Sequence, residues 1–196
     1  MADNFLKSKN GQNIKGPIIL STETFKDERG LFYESWNMNL FDKEISKNIN
    51  FVQDNISISN KGVLRGLHYQ LNPFSQCKLI RCIKGAIFDV IVDLREESKT
   101  FLEWSSIELS DRNFKQLWIP VGFAHGFLTI SDEAIVNYKV DNFWDPKSER
   151  SIKWDDKEIK IKWPLKENDI EIPHLSKKDY SGQSILKAKS RGELFK

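Results

Sequence analysis

The chain has 196 residues, 39% of them hydrophobic and 30% charged, which is typical of one globular domain with a sizeable core. Its 30 basic and 28 acidic residues leave a net charge of +2, so neither a nucleic-acid-binding surface nor a polybasic membrane patch is indicated. Residues 1–15 lack the apolar stretch of a signal peptide, and no run approaches the ~20 apolar residues of a membrane span. We therefore expect a cytoplasmic protein without nucleic-acid or membrane partners.

Short β-type runs separated by turn residues follow one another along the chain, a pattern typical of a sandwich or barrel. The predicted strands are Ile18–Leu20, Leu31–Ser35, Phe51–Ser57, Val63–Tyr69, Lys78–Ile83, Ala86–Leu94, Trp104–Leu109, Gln116–Ile119, Gly126–Ile130 and Ile135–Val140. Helical signal is weak, and short helices are predicted only over Asn39–Ser46 and after Pro173. The expected fold class is all-β with a few short helices, in one domain over residues 1–196.

Two patterns in the middle of the chain allow more specific predictions. Lys84-Gly85 lies between two strong strands and predicts a tight hairpin that joins them. In Ala86–Leu94 the even-numbered residues are apolar, while Asp89 and Asp93 share the other side. This alternation predicts a strand with one face in a core and one polar face.

The extent of the core, the C-terminal stretch and the two cysteines allow further predictions. The domain core is expected over about residues 17–180, and the polar, basic stretch Ser181–Lys196 is expected to be a solvated tail, with a docked C-terminal arm as the alternative. Cys77 and Cys82 are five residues apart on one predicted strand and so point to opposite faces. We expect two reduced core thiols rather than a disulfide or a metal pair.

Two of the three histidines close recognisable motifs. His68 ends the run GVLRGLH and His125 ends PVGFAH, and the pair resembles the two signature motifs of the cupin superfamily of small jelly-roll barrels. A metal-binding cupin has a second histidine two residues after the first, where this chain has Gln70, and a carboxylate near the position of Lys78. A divalent metal needs about three or more protein ligands, so no metal is expected.

From Thr24 to Asp179 the chain resembles the dTDP-4-dehydrorhamnose 3,5-epimerase family of cupin-type sugar-nucleotide epimerases. The resemblance is carried, in this order, by DERGLFYE (27–34), FVQDN (51–55), VLRGLHYQ (63–70), QCKL (76–79), DVIVDLR (89–95), WIPVGFAHGF (118–127), YK (138–139), WP (163–164) and LSKKD (175–179). It implies a cupin-like jelly-roll barrel, or double-stranded β-helix, and an isomerase that acts without metal or organic cofactor. It also implies a homodimer that exchanges N-terminal strands.

The implied reaction converts dTDP-4-dehydro-6-deoxyglucose to dTDP-4-dehydrorhamnose by inverting C3 and C5. A 4-keto group makes the hydrogens on those carbons acidic, because the carbanion is delocalised onto the carbonyl oxygen as an enolate. Inversion needs a base on one face of the sugar, an acid on the other, and a positive group for the oxyanion. By resemblance His68 is the base, Asp179 its partner, Tyr138 the acid and Lys78 the enolate-stabilising cation, with Asp169 as the alternative to Asp179.

The remaining matched residues are expected to bind the nucleotide-diphosphate sugar. Arg29 and Arg65 suit the diphosphate, because guanidinium groups bond phosphate oxygens in pairs, and Lys178 adds charge there. The other substrate-contacting positions carried over from the family are Glu34, Gln53, Asn55, His125 and Glu149.

Arg65 and His68 pose a geometric question, because residues three apart on an ideal strand lie on opposite faces. Gly66 could host a bulge that re-aims the chain, or Arg65 could lie at the mouth of the barrel. The sequence leaves both arrangements open.

The chain departs from the family pattern six residues after Tyr138. Many members have a second tyrosine there, near the sugar, whereas this chain has Phe143-Trp144. Trp144 can still stack on a sugar face but cannot donate a phenolic proton. A 3- or 5-epimerase of another nucleotide-linked 4-keto sugar is therefore the alternative function. Outside this class, the alternatives are a metal-dependent cupin oxygenase and a non-catalytic sugar-binding barrel.

Overall fold

The computed structural model describes residues 5–45 and 48–196. Its elements are β1 (Phe5–Lys7), β2 (Asn13–Ser21), β3 (Thr24–Asp27), β4 (Gly30–Tyr33), α1 (Met38–Glu44), β5 (Gln53–Asn60), β6 (Leu64–Gln70), β7 (Lys78–Lys84), β8 (Ala86–Asp93), β9 (Trp104–Ser110), β10 (Lys115–Ile119), β11 (Phe123–Thr129), β12 (Glu133–Val140), β13 (Glu149–Ser151), a 3₁₀ turn (Lys166–Asn168), α2 (Lys177–Tyr180) and α3 (Ile185–Ser190). The predicted all-β class with short helices is confirmed.

Two antiparallel sheets face each other across the main core. The first has the strand order β1-β2-β10-β7-β12-β5 and the second β13-β6-β11-β8-β9. Inward-pointing aliphatic and aromatic side chains from both sheets form one buried cluster, which includes Ile80, Ile91, Leu117 and Phe127. This arrangement of two packed sheets is the jelly-roll barrel that the cupin-like motifs imply.

Each of the ten predicted strands corresponds to an observed one, with ends that differ by a few residues. The strands that the sequence analysis missed are β1, β3 and β13. They are only three or four residues long, and β3 and β13 carry charged residues without apolar alternation. Their strand geometry comes from backbone pairing with a neighbour, β2, β4 or β6, which an amino-acid pattern does not report.

The predicted hairpin at Lys84-Gly85 is wrong. β7 pairs with β10 and β12, whereas β8 pairs with β9 and β11, so the two strands belong to different sheets. Gly85 has φ of +76°, and a Cβ there would lie 2.1 Å from the carbonyl oxygen of Glu133. The glycine therefore serves a corner at which the chain crosses from one sheet to the other.

The predicted polar face of β8 is also wrong, because β8 is buried on both sides. Asp89 and Asp93 are fully buried, and each carboxylate has a cationic or imidazole partner within the fold. Asp93 accepts hydrogen bonds from Arg95 at 2.8 and 2.9 Å and from Thr100 at 2.7 Å. The side chains on the other face of β8 are covered from outside the barrel.

The cover over that outer face is the C-terminal arm, residues 175–196. Ile185, Ala188 and Phe195 are buried against the five-stranded sheet, so the expected solvated tail is wrong and the docked arm is what the structure has. Asp156 helps to hold the arm, because its carboxylate accepts the backbone N–H of Ile185 at 2.9 Å. At the other end of the chain the core also extends beyond the expected start at residue 17, since Leu6 and Ile14 are buried.

A second projecting segment is the β3–β4 arm, residues 24–33, which pairs only with itself. Its apolar side chains Phe25, Leu31 and Phe32 are exposed. After it, Asn37 caps α1 by accepting the N–H groups of Asn39 and Leu40. This confirms the helix predicted over Asn39–Ser46, although Ser46 itself lies outside the described residues.

The two cysteines and the helices can be compared with the expectations from the sequence. Cys77 and Cys82 are both buried and free, and they pack in different clusters on opposite sides of the sheet, as expected of reduced core thiols. Among residues 5–45 and 48–196, none of the helices has the length and apolar character needed to cross a bilayer.

Candidate active site

A polar cavity of about 400 Å³ opens between the two sheets at one end of the barrel. Strands of both sheets contribute most of the side chains, and the loops that carry Gln76 and Trp144 and the helix α2 that carries Lys178 supply the rest. The lining residues are Gln53, Asn55, Ser57, Arg65, His68, Gln76, Lys78, His125, Phe127, Tyr138, Trp144, Glu149 and Lys178. Most of the predicted site residues are thus brought together in one place.

A bulge in β6 explains how Arg65 and His68 reach the same cavity. His68 is opposite His125 on β11 and Arg65 is opposite Phe127, so three steps along β6 match two along β11. The extra residue lies at Gly66, which has φ of +124° and is so close to β11 that a Cβ would lie 2.6 Å from the Cα of Gly126. The two arrangements left open by the sequence occur together, because the bulge is present and Arg65 is also exposed towards the mouth of the cavity.

His68 is held by a carboxylate from the C-terminal arm. Its Nε2 lies 2.5 Å from Oδ1 of Asp179, which is 3% exposed. The alternative partner Asp169 lies instead at the end of the 3₁₀ turn and lines a separate surface depression. Because Nε2 is bonded to Asp179, the other ring nitrogen, Nδ1, is left to exchange a proton with a bound molecule.

The charge states of this pair suit a base. Burial lowers the pKa of His68 below its ordinary value, against the raising effect of Asp179, so the imidazole is neutral at pH 7. Burial acts to raise the pKa of Asp179, but the hydrogen bonds from His68 and Ser176 outweigh it and hold that pKa below its ordinary value. A neutral imidazole backed by an ionised carboxylate can accept a proton and be stabilised as imidazolium.

Tyr138 lines the cavity from the opposite sheet. It lies on β12, beside Asn55 on β5 and Ile80 on β7, whereas His68 lies on β6 of the five-stranded sheet. Burial raises the pKa of Tyr138, with Arg65 opposing the shift, so the phenol stays protonated at neutral pH. A proton acceptor and a proton donor therefore face one cavity from its two walls.

Lys78 supplies a positive group from the start of β7. Burial lowers the pKa of Lys78 to about 8, against the raising effects of Glu149 and Asp89. The ammonium is therefore still largely protonated at pH 7. Behind it, Asp89 bonds Nε2 of His125 at 2.8 Å, which fixes the second histidine of the cavity next to His68.

Two further cations lie towards the mouth of the cavity. Arg65 donates from Nε to Oγ of Ser59 at 3.0 Å, which orients its guanidinium. Lys178, on the C-terminal arm, pairs with Glu149 of β13 at 2.8 Å. With Lys78 these groups make the cavity a site for an anionic ligand.

Trp144 lies at the mouth on a loop that three glutamines fix, and Gln53 accepts the backbone N–H of Trp144 at 3.1 Å. Gln70 donates to the carbonyl oxygen of Phe143 and accepts the N–H of Asp145 at 2.8 Å, and Gln76 donates to the carbonyl oxygen of Asn142. The indole is 56% exposed and offers a flat apolar surface to a bound molecule. Gln70, at the position of a metal ligand in other cupins, is thus a loop-holding residue here.

Arg29 and Glu34 are not brought into the cavity of their own chain. Arg29 lies on the turn of the β3–β4 arm with its side chain 85% exposed and pairs with Asp27. Glu34 follows the arm and accepts a hydrogen bond from Asn37 at 3.2 Å. Within one chain, therefore, Arg29 does not act beside Arg65.

Sequence reasoning gave no role to three lining residues, Ser57, Gln76 and Phe127. Each lies two residues from a predicted site residue on the same strand or at its start, after Asn55, before Lys78 and after His125 respectively. The period-two alternation of strands would have found all three, because alternate residues share a face.

Among the described residues, no group of three or more His, Cys, Asp or Glu side chains is arranged to hold a metal ion. In the cavity, the lysine ammonium of Lys78 lies close enough to Asp89 and Glu149 to interact electrostatically with them.

Known proteins resemble this chain in sequence and in structure. The family model described as dTDP-4-dehydrorhamnose 3,5-epimerase matches residues 11–187. The enzyme of that name from Shigella flexneri is 50% identical over 175 residues, which are 89% of this chain and 94% of the relative.

Solved structures of sugar-nucleotide epimerases are also similar to this chain. A dTDP-6-deoxy-D-glucose-3,5-epimerase from Legionella pneumophila, in complex with dTDP-4-keto-L-rhamnose, superposes with a TM-score of 0.88 at 39% identity, covering 98% of this chain and 97% of that one. A 3'-monoepimerase from Streptomyces bikiniensis, in complex with dTDP-quinovose, has a TM-score of 0.86 at 30% identity, covering 92% and 89%.

Proposed function

The chain belongs to the dTDP-4-dehydrorhamnose 3,5-epimerase family, and we propose that it converts dTDP-4-dehydro-6-deoxyglucose to dTDP-4-dehydrorhamnose by inverting C3 and C5. One observation carries the proposal. His68 and Tyr138 face one cavity from opposite sheets, with the ammonium of Lys78 in the same cavity.

The reaction begins with the base. Neutral His68 takes the proton from a carbon next to the ketone, and the C–H electron pair moves onto the carbonyl oxygen to form an enolate. Asp179, 2.5 Å from the imidazole, stabilises the imidazolium that results. The ammonium of Lys78 donates to the enolate oxygen, where a well-placed donor is worth about 3–4 kcal/mol of transition-state stabilisation.

Tyr138 completes the inversion. The enolate carbon is planar, so its configuration depends on the face from which the proton returns. The phenol delivers that proton from the six-stranded sheet, opposite His68, and the electron pair returns from oxygen to re-form the ketone. Repetition at the second carbon requires that the base and the acid exchange their protons with water between the two steps.

The cations at the mouth bind the diphosphate. Arg65 is oriented by Ser59, and Lys178 is held by Glu149, so both are in place before substrate arrives. Gln53, Asn55 and His125 contact the sugar or the nucleoside, and Trp144 provides a stacking surface. No metal or organic cofactor is required in this scheme.

A second copy of the chain would complete the site. The β3–β4 arm is an isolated two-stranded hairpin with exposed aromatic residues, which is marginally stable alone. β5 is an edge strand whose outward-facing Ile56 and Ile58 are 66% and 60% exposed. A homodimer in which each β3–β4 arm covers the partner's β5 buries both surfaces and carries Arg29 and Glu34 to the partner's cavity. Light scattering tests this homodimer: the native chain should be dimeric and Phe32→Asp should be monomeric. A monomeric native chain would contradict the proposal.

The function is tested by incubating the protein with dTDP-4-dehydro-6-deoxyglucose in heavy water. Mass spectrometry and NMR should show deuterium at both C3 and C5 and the rhamno product. His68→Ala should lose this exchange and keep its nucleotide affinity within a few-fold, because the imidazole acts on the proton. Failure of the native chain to exchange either proton would refute the proposal.

The same experiment separates the alternatives. Trp144 in place of a phenol favours, as the second candidate, a monoepimerase, which would take up deuterium at only one of the two carbons. Loss of activity to a chelator would identify a metal-dependent enzyme, and nucleotide-sugar binding without exchange would identify a binding barrel. The cytoplasmic location also stays a prediction, which cell fractionation can check.

A further inference from the structure

Asp179 occupies two structural roles at once. It is the partner of His68 through Oδ1, and it is the third residue of the single-turn helix α2, whose N-cap is Ser176. The hydroxyl of Ser176 accepts the backbone N–H of Asp179 at 3.1 Å and donates to its Oδ2 at 2.7 Å. The carboxylate is thus held at both oxygens, by the imidazole on one side and by the serine on the other.

We infer that Ser176 is a positioning residue for the base, and that Ser176, Asp179 and His68 form one hydrogen-bonded relay. This inference rests on the proposed function, since it concerns how the same base is oriented. In an ordinary capping arrangement the carboxylate of the third helical residue turns back to the N-cap backbone. Here the serine hydroxyl takes that carboxylate oxygen instead, which directs the other oxygen at His68.

The relay acts when charge develops. Before proton transfer the imidazole is neutral and gains little from an aligned carboxylate; after transfer it is a cation, and its stabilisation depends on the distance and angle to Oδ1. An interaction that matters only in the transition state changes kcat and leaves substrate binding alone. The neighbouring Lys178, which lines the cavity, pairs with Glu149 and does not depend on the serine hydroxyl.

The chain contains its own control. Ser184 is the N-cap of α3 on the same C-terminal arm and accepts the N–H of Lys187 at 3.3 Å. The residue in the position of Asp179 is there a lysine, so Ser184 caps a helix without orienting a catalytic carboxylate. Glycine is nearly as good an N-cap as serine, so a glycine variant removes the hydroxyl with little loss of helix stability.

The test compares the kinetics of Ser176→Gly, Ser176→Thr and Ser184→Gly on dTDP-4-dehydro-6-deoxyglucose. Ser176→Gly should lower kcat about tenfold with KM within about twofold, which corresponds to about 1.4 kcal/mol of lost transition-state stabilisation. Ser176→Thr, which keeps the hydroxyl, should restore kcat to within about threefold of the native value. Ser184→Gly should leave both constants unchanged.

Each contrary result has a distinct meaning. If Ser176→Gly keeps kcat within twofold while Asp179→Asn loses it, the serine is a cap only and the relay is wrong. An equal fall in Ser184→Gly would assign the effect to stability of the arm, and a change in KM alone would assign it to binding; either overturns the inference. If His68→Ala and Asp179→Asn both keep full activity, the proposed function has failed instead.

Discussion

The bulge in β6 predicts that Gly66→Ala will destabilise the fold and disable the site. At φ of +124° an alanine is strained by about 1–3 kcal/mol. Its Cβ would also lie 2.6 Å from the Cα of Gly126 and 2.8 Å from the carbonyl oxygen of His125. Overpacking of this kind costs a further ~1–3 kcal/mol. The neighbour at 2.6 Å is itself a glycine, so no side chain can be trimmed to make room.

The total loss, about 2–6 kcal/mol, is a large part of the roughly 5–15 kcal/mol that stabilises a typical domain. Urea unfolding at equal protein concentration would measure it. Gly192→Ala is the control, because Gly192 also has positive φ, +66°, but a Cβ there would meet nothing within 4 Å. It should lose only about 1–2 kcal/mol. In the part of Gly66→Ala that stays folded, kcat should fall, since Arg65 and His68 would no longer point into one cavity. Equal stability losses in the two variants, or an unchanged kcat, would refute the reasoning.

Three further predictions concern the site and its support. The profile of kcat/KM against pH should be bell-shaped. It should fall below pH 6.5 as His68, whose pKa is lowered by burial, becomes protonated, and above about pH 8 as Lys78 loses its proton. In Asp179→Asn the acid limb should move to lower pH, because Asp179 raises the pKa of His68. Arg65→Ala should raise KM with little change in kcat, because a phosphate contact is made equally in the ground and transition states; steady-state kinetics would show a kcat effect if Arg65 instead acts on the reacting atoms. Asp156→Ala should lower the free energy of unfolding in urea by about 2–4 kcal/mol and expose the C-terminal arm to protease. The reason is that the carboxylate of Asp156 accepts the N–H groups of Glu158, Ile159 and Ile185. Asp155→Ala, at the exposed neighbouring position, should change neither stability nor protease sensitivity.

The sequence predicted the fold class and most of the cavity because both depend on local patterns. Apolar alternation marked the long strands, and the motifs that end in His68 and His125 lie on adjacent strands that the barrel brings side by side. The geometry between Arg65 and His68 could not be predicted, because a bulge is decided by how closely β6 approaches β11.

Most of the errors have a common physical source, which is contact between residues that are far apart in the chain. Asp89 is expected on a polar face because its partner, His125, is recognised only once β8 and β11 are adjacent. Asp93 is different, since its partner Arg95 lies only two residues further along the chain. The C-terminal arm looked like a tail because its few apolar residues, Ile185 and Phe195 among them, are separated by charged ones. Arg29 could be recognised as a family position, but its exposed place on the β3–β4 arm could not.

The order of elements along the chain has a consequence for how the base is assembled. The last barrel strand ends at Ser151, whereas the carboxylate that orients His68 arrives with Asp179 and the arm that holds it is anchored at Phe195. The strands supply the imidazole of His68 but not the carboxylate that stabilises its protonated form. The base is therefore complete only once the C-terminal arm has docked on the outside of the barrel, so turnover depends on a segment that lies outside the barrel strands.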